Sequence, residues 1–277
     1  MNKLFYLSVL LALVLTSGCK TSETAKSDKE SAVGVIAHRG YWDIEGSVEN
    51  SISSLQNAID GHFYGSEIDV HLTIDDVAVI YHDNKIEKTI PIQESDYTDL
   101  ENVRLRNGEE LPLLEKHLEV ISKQNHTKLI IEIKSHSTPE RNRDAAQVVY
   151  NMVKEYNVEK LCEYISFSMD ACKELIKLNK KNKVSFLTGS VKNAPDPATL
   201  AKEGFWGIDY KDAVFVEHPE FIKNAHDAGM KVNVWTVNDD AQMQKMVDMG
   251  VDFITTDNPD RLKRLLIITS NPVRRNK

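Results

Sequence analysis

Residues 66–72 read SEIDVHL and residues 128–134 read KLIIEIK. Both are apolar runs rich in β-branched residues, and both carry charges two positions apart: Glu67 with Asp69, and Glu132 with Lys134. Alternate residues of a strand share a face, so each run places its charges on one side. Charge stranded inside a buried strand costs free energy unless it is paired or used. Two further runs end alike, with AHRG at 37–40 and YHD at 81–83. Charged strand ends repeated at one topological height point to one shared site.

Working outward, strands are expected at 33–37, 66–72, 128–133, 164–168, 184–188, 206–210, 231–236 and 252–256. An extended arm at 77–82 follows the turn signal Ile74-Asp75-Asp76. Between them, helical periodicity marks 50–59, 113–124, 143–156, 171–178, 197–203, 219–228, 240–249 and 259–268. Gly204, Gly229 and Gly250 are stop signals, and Asn50 reads as the N-cap of the first helix. Alternating β and α segments mean a mostly parallel sheet. Eight such units predict an α/β fold of one domain: a parallel (β/α)8 TIM barrel with a short hairpin arm after strand 2. Residues 84–112 fit no unit. They are polar, contain Pro91, Gly108 and Pro112, and read as a long connection beside the barrel mouth.

The chain has 277 residues, a formal net charge of -8 and 41% hydrophobic residues. That is enough to bury a core, and the acidic balance argues against nucleic acid as a partner. A small phosphate substrate needs only a local cluster of cations. Residues 1–18 read as a leader, with Lys3 before an apolar stretch at 4–15 that is short for a bilayer span. Thr16-Ser17-Gly18-Cys19 resembles the lipobox of bacterial lipoproteins. This predicts lipidation at Cys19, a flexible tether over 19–32 and the barrel over 33–277. It places the protein as an exported lipoprotein of the periplasm or outer envelope, held to a membrane by its lipid. Only Cys162 and Cys172 then remain, and they read as inert thiols.

In a barrel, chemistry sits at the C-terminal strand ends. Glu67, Asp69 and Glu132 are hard oxygen ligands suited to Mg²⁺ or Ca²⁺. Arg39 and Lys134 suit phosphate oxygens, one as a planar fork and one as a point charge. His38 and His82 are suited to general acid and base work near neutral pH. Together these groups describe cleavage of a phosphodiester. Taken singly, each has a bland reading: Glu132 and Lys134 as a same-face ion pair, Glu67 and Asp69 as an exposed face, His82-Asp83 as a turn. Their common height argues against that. Glu49 is a candidate to orient Arg39, and Trp235 a candidate pocket wall or core residue. Asp257 reads as a cap of the last helix. His71 is left outside the site. His62, His117, His126, His136, His218 and His226 are expected at the surface.

These segments resemble the glycerophosphodiester phosphodiesterase family over roughly residues 33–268. The resemblance rests on His38-Arg39-Gly40, Glu49-Asn50, Glu67-Ile68-Asp69-Val70, His82-Asp83, the LPLLE stretch at 111–115, Glu132-Ile133-Lys134, Trp235-Thr236-Val237-Asn238 and Thr256-Asp257. It implies a barrel of eight β/α units and a metal on Glu67, Asp69 and Glu132. It also implies acid and base roles for His38 and His82, and phosphate contacts by Arg39 and Lys134. The family's reaction splits a glycerophosphodiester into glycerol 3-phosphate and an alcohol. The segment after the His-Asp pair is shorter than is common there, which predicts a more open mouth. The family's usual Pro-Thr-Leu is Pro112-Leu113-Leu114 here. A lyase that stops at a cyclic phosphate and a non-catalytic phosphodiester-binding barrel stay open as alternatives. Sugar chemistry by paired carboxylates explains neither the histidines nor the cations.

Overall fold

Strand β1 (Gly34–Ala37) is paired on both sides, with the last strand β11 (Phe253–Thr256) and with β2 (Gly65–Leu72). This double pairing closes the sheet into a ring. In this computed structural model, which describes residues 33–270, the ring continues through β6 (Lys128–Ile133), β7 (Cys162–Ser166), β8 (Val184–Thr188), β9 (Gly207–Lys211) and β10 (Lys231–Trp235). All eight are parallel neighbours, as the alternation of β and α segments requires. Strand β3 (Ala78–Ile80) adds antiparallel to β2 and is the expected arm. A small hairpin, β4 (Lys85–Ile86) with β5 (Ile90–Pro91), follows it. The leader at 1–18 and the tether at 19–32, with Cys19, lie outside the described residues.

Helices α1 (Ile52–Asp60), α2 (Leu114–Ile121), α3 (Pro139–Glu155), α4 (Met169–Leu178), α5 (Pro197–Lys202), α6 (Asp212–Glu217), α7 (Glu220–Asp227), α8 (Asp240–Met249) and α9 (Pro259–Ser270) connect the strands. The large core lies between them and the outward strand faces, including Ile68, Val70, Ile131, Ile133, Val232 and Val234. Each fully buried residue of this kind contributes roughly 1.5–3 kcal/mol. Inside the ring, Ile36, Ile130, Ile165, Leu187 and Phe253 form a separate apolar layer. They fill part of the barrel interior, with Trp235 packed against them. The other inward positions, among them Glu67, Asp69, Glu132, Asp209 and Asn233, are polar.

Several boundaries differ from expectation for local reasons. Strand β7 ends at Ser166 because Ser168 is the N-cap of α4 and accepts from the Ala171 amide. Helix α3 starts at Pro139 because Thr138 caps it and proline fits the first turn. Helix α6 has no counterpart in the sequence reading. Asn50 is not the cap of α1. Ser51 is, accepting from Ser54, while Asn50 takes a left-handed φ of 62°. Leu113, where the family commonly has Thr, is the N-cap of α2 without a side-chain hydrogen bond.

Two expectations about polarity are corrected. Residues 84–112 are a packed unit: Ile86, Ile92, Leu100 and Leu111 bury with Val79 in a small core of their own. His117 and His136 are buried rather than at the surface. His117 lies on the apolar face of α2 with Leu114, Leu118 and Ile121, and His136 is bonded to the backbone of Leu72 and Lys134. Cys162 and Cys172 are free and buried, and burial pushes both thiols up.

Candidate active site

The inward residues of β2 and β6 bring Glu67, Asp69 and Glu132 together. Asp69 is the register partner of Glu132. One oxygen from each of the three carboxylates lies within 4.8 Å of the others, and all three residues are buried. Burial and the charges of Asp69 and Glu132 push the Glu67 carboxyl well up. Burial, then Asp69, pushes Glu132 up despite Lys134. Burial acts on Asp69 in the same sense, but Lys134, His82, Asn50 and Arg39 outweigh it and hold that carboxyl low. Oε1 of Glu67 has no hydrogen-bond partner, and Oε1 of Glu132 has only the Lys134 ammonium beside it. Three converging buried carboxylates with such atoms fit a hard divalent cation, which would relieve their repulsion.

The two cations lie against these acids. Lys134 Nζ is 3.0 Å from Asp69 Oδ1 and 2.9 Å from Glu132 Oε1. Burial alone would lower the Lys134 pKa, but the two carboxylates raise it above the usual lysine value. Arg39 has φ 56°, which turns its amide onto Glu67 Oε2 at 2.8 Å. Its Nη1 donates to Glu49 Oε2 at 2.7 Å, the orienting contact expected of Glu49, and its Nε is 3.6 Å from Asp69. Gly40 follows at φ 80°, where a Cβ would meet Ser54 Oγ at 2.2 Å. Asn50 donates to Asp69 Oδ2 at 2.8 Å and accepts the Asp69 amide at 3.1 Å.

His38 and His82 follow β1 and β3. His38 Nδ1 is 2.7 Å from Asp257 Oδ1, and Asn238 donates to the other oxygen of Asp257 at 2.6 Å. The Asp257 side chain is therefore a histidine partner rather than the cap of α9. His82 Nδ1 is 2.8 Å from Asp83, and the side chain is 40% exposed. Burial of the remainder holds its pKa below the ordinary value, against the pull of Asp69. Trp235 lies at the mouth, its Nε1 donating to the Asp209 carbonyl at 2.9 Å and its ring edge-on to Phe167.

Sequence reasoning missed Asp257 as a histidine partner, Asn50 as a brace for Asp69, and Asp209. The last is buried and points inward. It accepts from Asn233 at 2.7 Å, and desolvation pushes its carboxyl up to about 7. Strict alternation in 207–211 and 231–235 marks Asp209 and Asn233 as inward polar residues, so a signal for them existed. His71 is fully buried beside the site, and burial holds its imidazole down to about 4.

The comparisons with known proteins agree with this fold. Residues 38–261 match the model of the glycerophosphoryl diester phosphodiesterase family. A crystal structure of a glycerophosphodiester phosphodiesterase from Parabacteroides distasonis is 48% identical, with a TM-score of 0.84, and covers 87% of this chain and 100% of that one. A glycerophosphodiester phosphodiesterase of Caldanaerobacter subterraneus is 28% identical over 244 residues, 84% of this chain and 97% of its own. A phosphodiesterase from Oleispira antarctica, solved in complex with the product sn-glycerol-3-phosphate, has the same fold at 22% identity and a TM-score of 0.73, over 84% of this chain and 96% of that one. With the match covering most of its length, the chain belongs to the glycerophosphoryl diester phosphodiesterase family, and thereby to the phosphoric diester hydrolases.

Proposed function

We propose that the protein hydrolyses glycerophosphodiesters to sn-glycerol 3-phosphate and an alcohol, using a divalent cation, Mg²⁺ or Ca²⁺, and two histidines. The observation that carries this is the juxtaposition of Glu67, Asp69 and Glu132 with Arg39, Lys134 and two carboxylate-held histidines around one mouth. The product bound by the Oleispira phosphodiesterase is consistent with it.

Held by the three carboxylates, a divalent cation supplies positive charge for the oxygens of the phosphoryl group. Arg39, fixed by Glu49, offers a fork to phosphate, and Lys134 adds a point charge beside it. An oxygen nucleophile, water or the glycerol 2-hydroxyl, forms the new bond to phosphorus as the bond to the alcohol breaks. One histidine takes the nucleophile's proton and the other gives a proton to the leaving oxygen. Asp257 and Asp83 fix the ring orientations and stabilise the imidazolium form. A nucleophilic 2-hydroxyl gives a cyclic phosphate that water must then open, and an enzyme lacking that second step is the lyase alternative.

The test is phosphorus NMR of the protein with glycerophosphoethanolamine, with Mg²⁺, with Ca²⁺ and with chelator. A glycerol 3-phosphate signal that chelator abolishes supports the reading. A persistent cyclic phosphate moves it to the lyase, and absence of turnover to a binding barrel.

We further propose that Cys19 is lipidated and that the protein is held at the cell envelope. The sequence at 16–19 supports this, and among the described residues no helix is long and apolar enough to cross a membrane. Mass spectrometry of the mature N-terminus and release of Cys19→Ala from the membrane fraction check it. An unmodified Cys19 in the mature protein would overturn it.

A further inference from the structure

A cavity of about 760 Å³ lies between the loop 42–50 and the segments 81–87 and 103–106, and opens onto Arg39 and His82. The chemistry above uses only its inner end. A glycerophosphodiester has a glycerol part that never varies and an alcohol that does. The two sides of the mouth differ in the same sense. On one side Trp235 is pinned by its bond to Asp209 and by Phe167, 5.6 Å away between ring centroids, and a preset wall suits a constant group. On the other side the groove is wide and walled by loops.

We propose that this groove is the subsite for the variable alcohol, and that Trp42, Asp43, Glu45 and Glu87 make it favour alcohols whose ammonium group gives them a net positive charge over neutral or zwitterionic ones. The inference rests on the diester reading above. It is carried first by the continuity of the groove with the phosphate-binding groups. Charge adds the selection. Arg39 is paired with Glu49, Arg104 with Glu110 and His82 with Asp83. Asp43, Glu45 and Glu87 are exposed in the lining with no ion-pair partner among the described residues, against one unpaired cation there, Arg106. Lys85 and Lys88 flank Glu87 outside the lining. A concave surface with this excess concentrates cations. Trp42 lines the groove and supplies the aromatic ring that an ammonium prefers.

The experiment compares kcat/KM for glycerophosphocholine, glycerophosphoethanolamine, glycerophosphoglycerol and glycerophosphoserine, using the full chain with its divalent cation. Wild type is expected to favour the first two, and the preference to shrink as salt is raised. In Trp42→Leu and in Glu45→Gln/Glu87→Gln the preference for the ammonium alcohols over glycerophosphoglycerol is expected to fall about threefold to tenfold through KM. Turnover of glycerophosphoglycerol is expected to fall less than that of the ammonium alcohols in both variants. Equal turnover of all four by wild type, or an unchanged preference in both variants, would overturn the subsite. Equal loss on every substrate in both variants would also overturn it, as a structural effect. Absence of turnover of any diester by wild type is a different result, and it fails the diester reading itself.

Discussion

Asn50 and Asp69 hold each other by two hydrogen bonds, side chain to carboxylate at 2.8 Å and amide to side chain at 3.1 Å. Asn50 reaches this position only because its backbone is left-handed, a conformation asparagine tolerates better than most residues. Asn50→Ala is expected to cost about 2–3 kcal/mol of stability, combining backbone strain and an unsatisfied buried group. It should also lower kcat/KM by about 10- to 100-fold, a loss of about 1.4–2.7 kcal/mol of transition-state stabilisation. Asn50→Gly relieves the strain but not the loss of positioning. Chemical denaturation and steady-state kinetics check both, and a fully active glycine variant would sink the positioning role.

The three buried carboxylates make stability respond to both pH and cation. Glu67 and Glu132 are held above the usual carboxylate range. The folded state therefore binds more protons than the unfolded chain above pH about 4.5, and without metal its stability falls as pH rises through that region. A divalent cation should reverse this, adding about 2.7 kcal/mol at 100 times its dissociation constant. Glu67→Gln is expected to raise Tm in chelator at neutral pH and to blunt the response to Mg²⁺ or Ca²⁺. Thermal melts with and without chelator decide it: no cation-dependent shift in wild type would count against the metal site.

Both histidines should matter, and not only to binding. His38→Ala and His82→Ala are each expected to lower kcat about 10²- to 10⁴-fold. Asp257→Asn leaves the imidazole of His38 in place but removes the negative charge beside it. A loss of about 10- to 100-fold in kcat is expected, with KM little changed. A kcat identical to wild type would remove Asp257 from this role.

Acid stability isolates a different histidine. Burial holds His117 down to about 4, against about 6.5 in an unfolded chain. Its contribution to stability is present above pH 6.5 and is lost as pH falls through about 4, because the unfolded chain gains the proton first. The loss is on the order of 3 kcal/mol. Urea midpoints measured from pH 7 to pH 4 should fall less steeply in His117→Gln than in wild type. Parallel slopes would show that another group carries the acid sensitivity.

The fold was legible where side chains alternate. In 66–72 and 128–133 the inward charges and outward aliphatics fix both strand and face, and the same pattern recurs in 207–211 and 231–235. Helix starts were less legible, because Thr138 and Ser168 set them from outside the apolar periodicity. The packing of 84–112 was hidden because Ile86, Ile92, Leu100 and Leu111 follow no period. His117 could have been placed inside, since 114, 117, 118 and 121 form one helical face. The partnership of His38 with Asp257 had no local signature, and neither did the turn that aims Asn50. The first depends on a contact that exists only once the barrel is closed, and the second on the pairing of Asn50 with Asp69 of β2.

The seam between β1 and β11 joins the two ends of the barrel in sequence, and His38 and Asp257, 219 positions apart, face each other across its upper edge. The three converging carboxylates and the cations Arg39 and Lys134 come from the first half of the chain, so they are made early. The partner of His38 arrives last. A nascent chain still missing its final strand, or a damaged one whose seam has opened, keeps most of the site's charge but leaves one proton carrier unheld. Turnover thus reports on completed assembly, and incomplete copies are expected to be silent before they are unfolded.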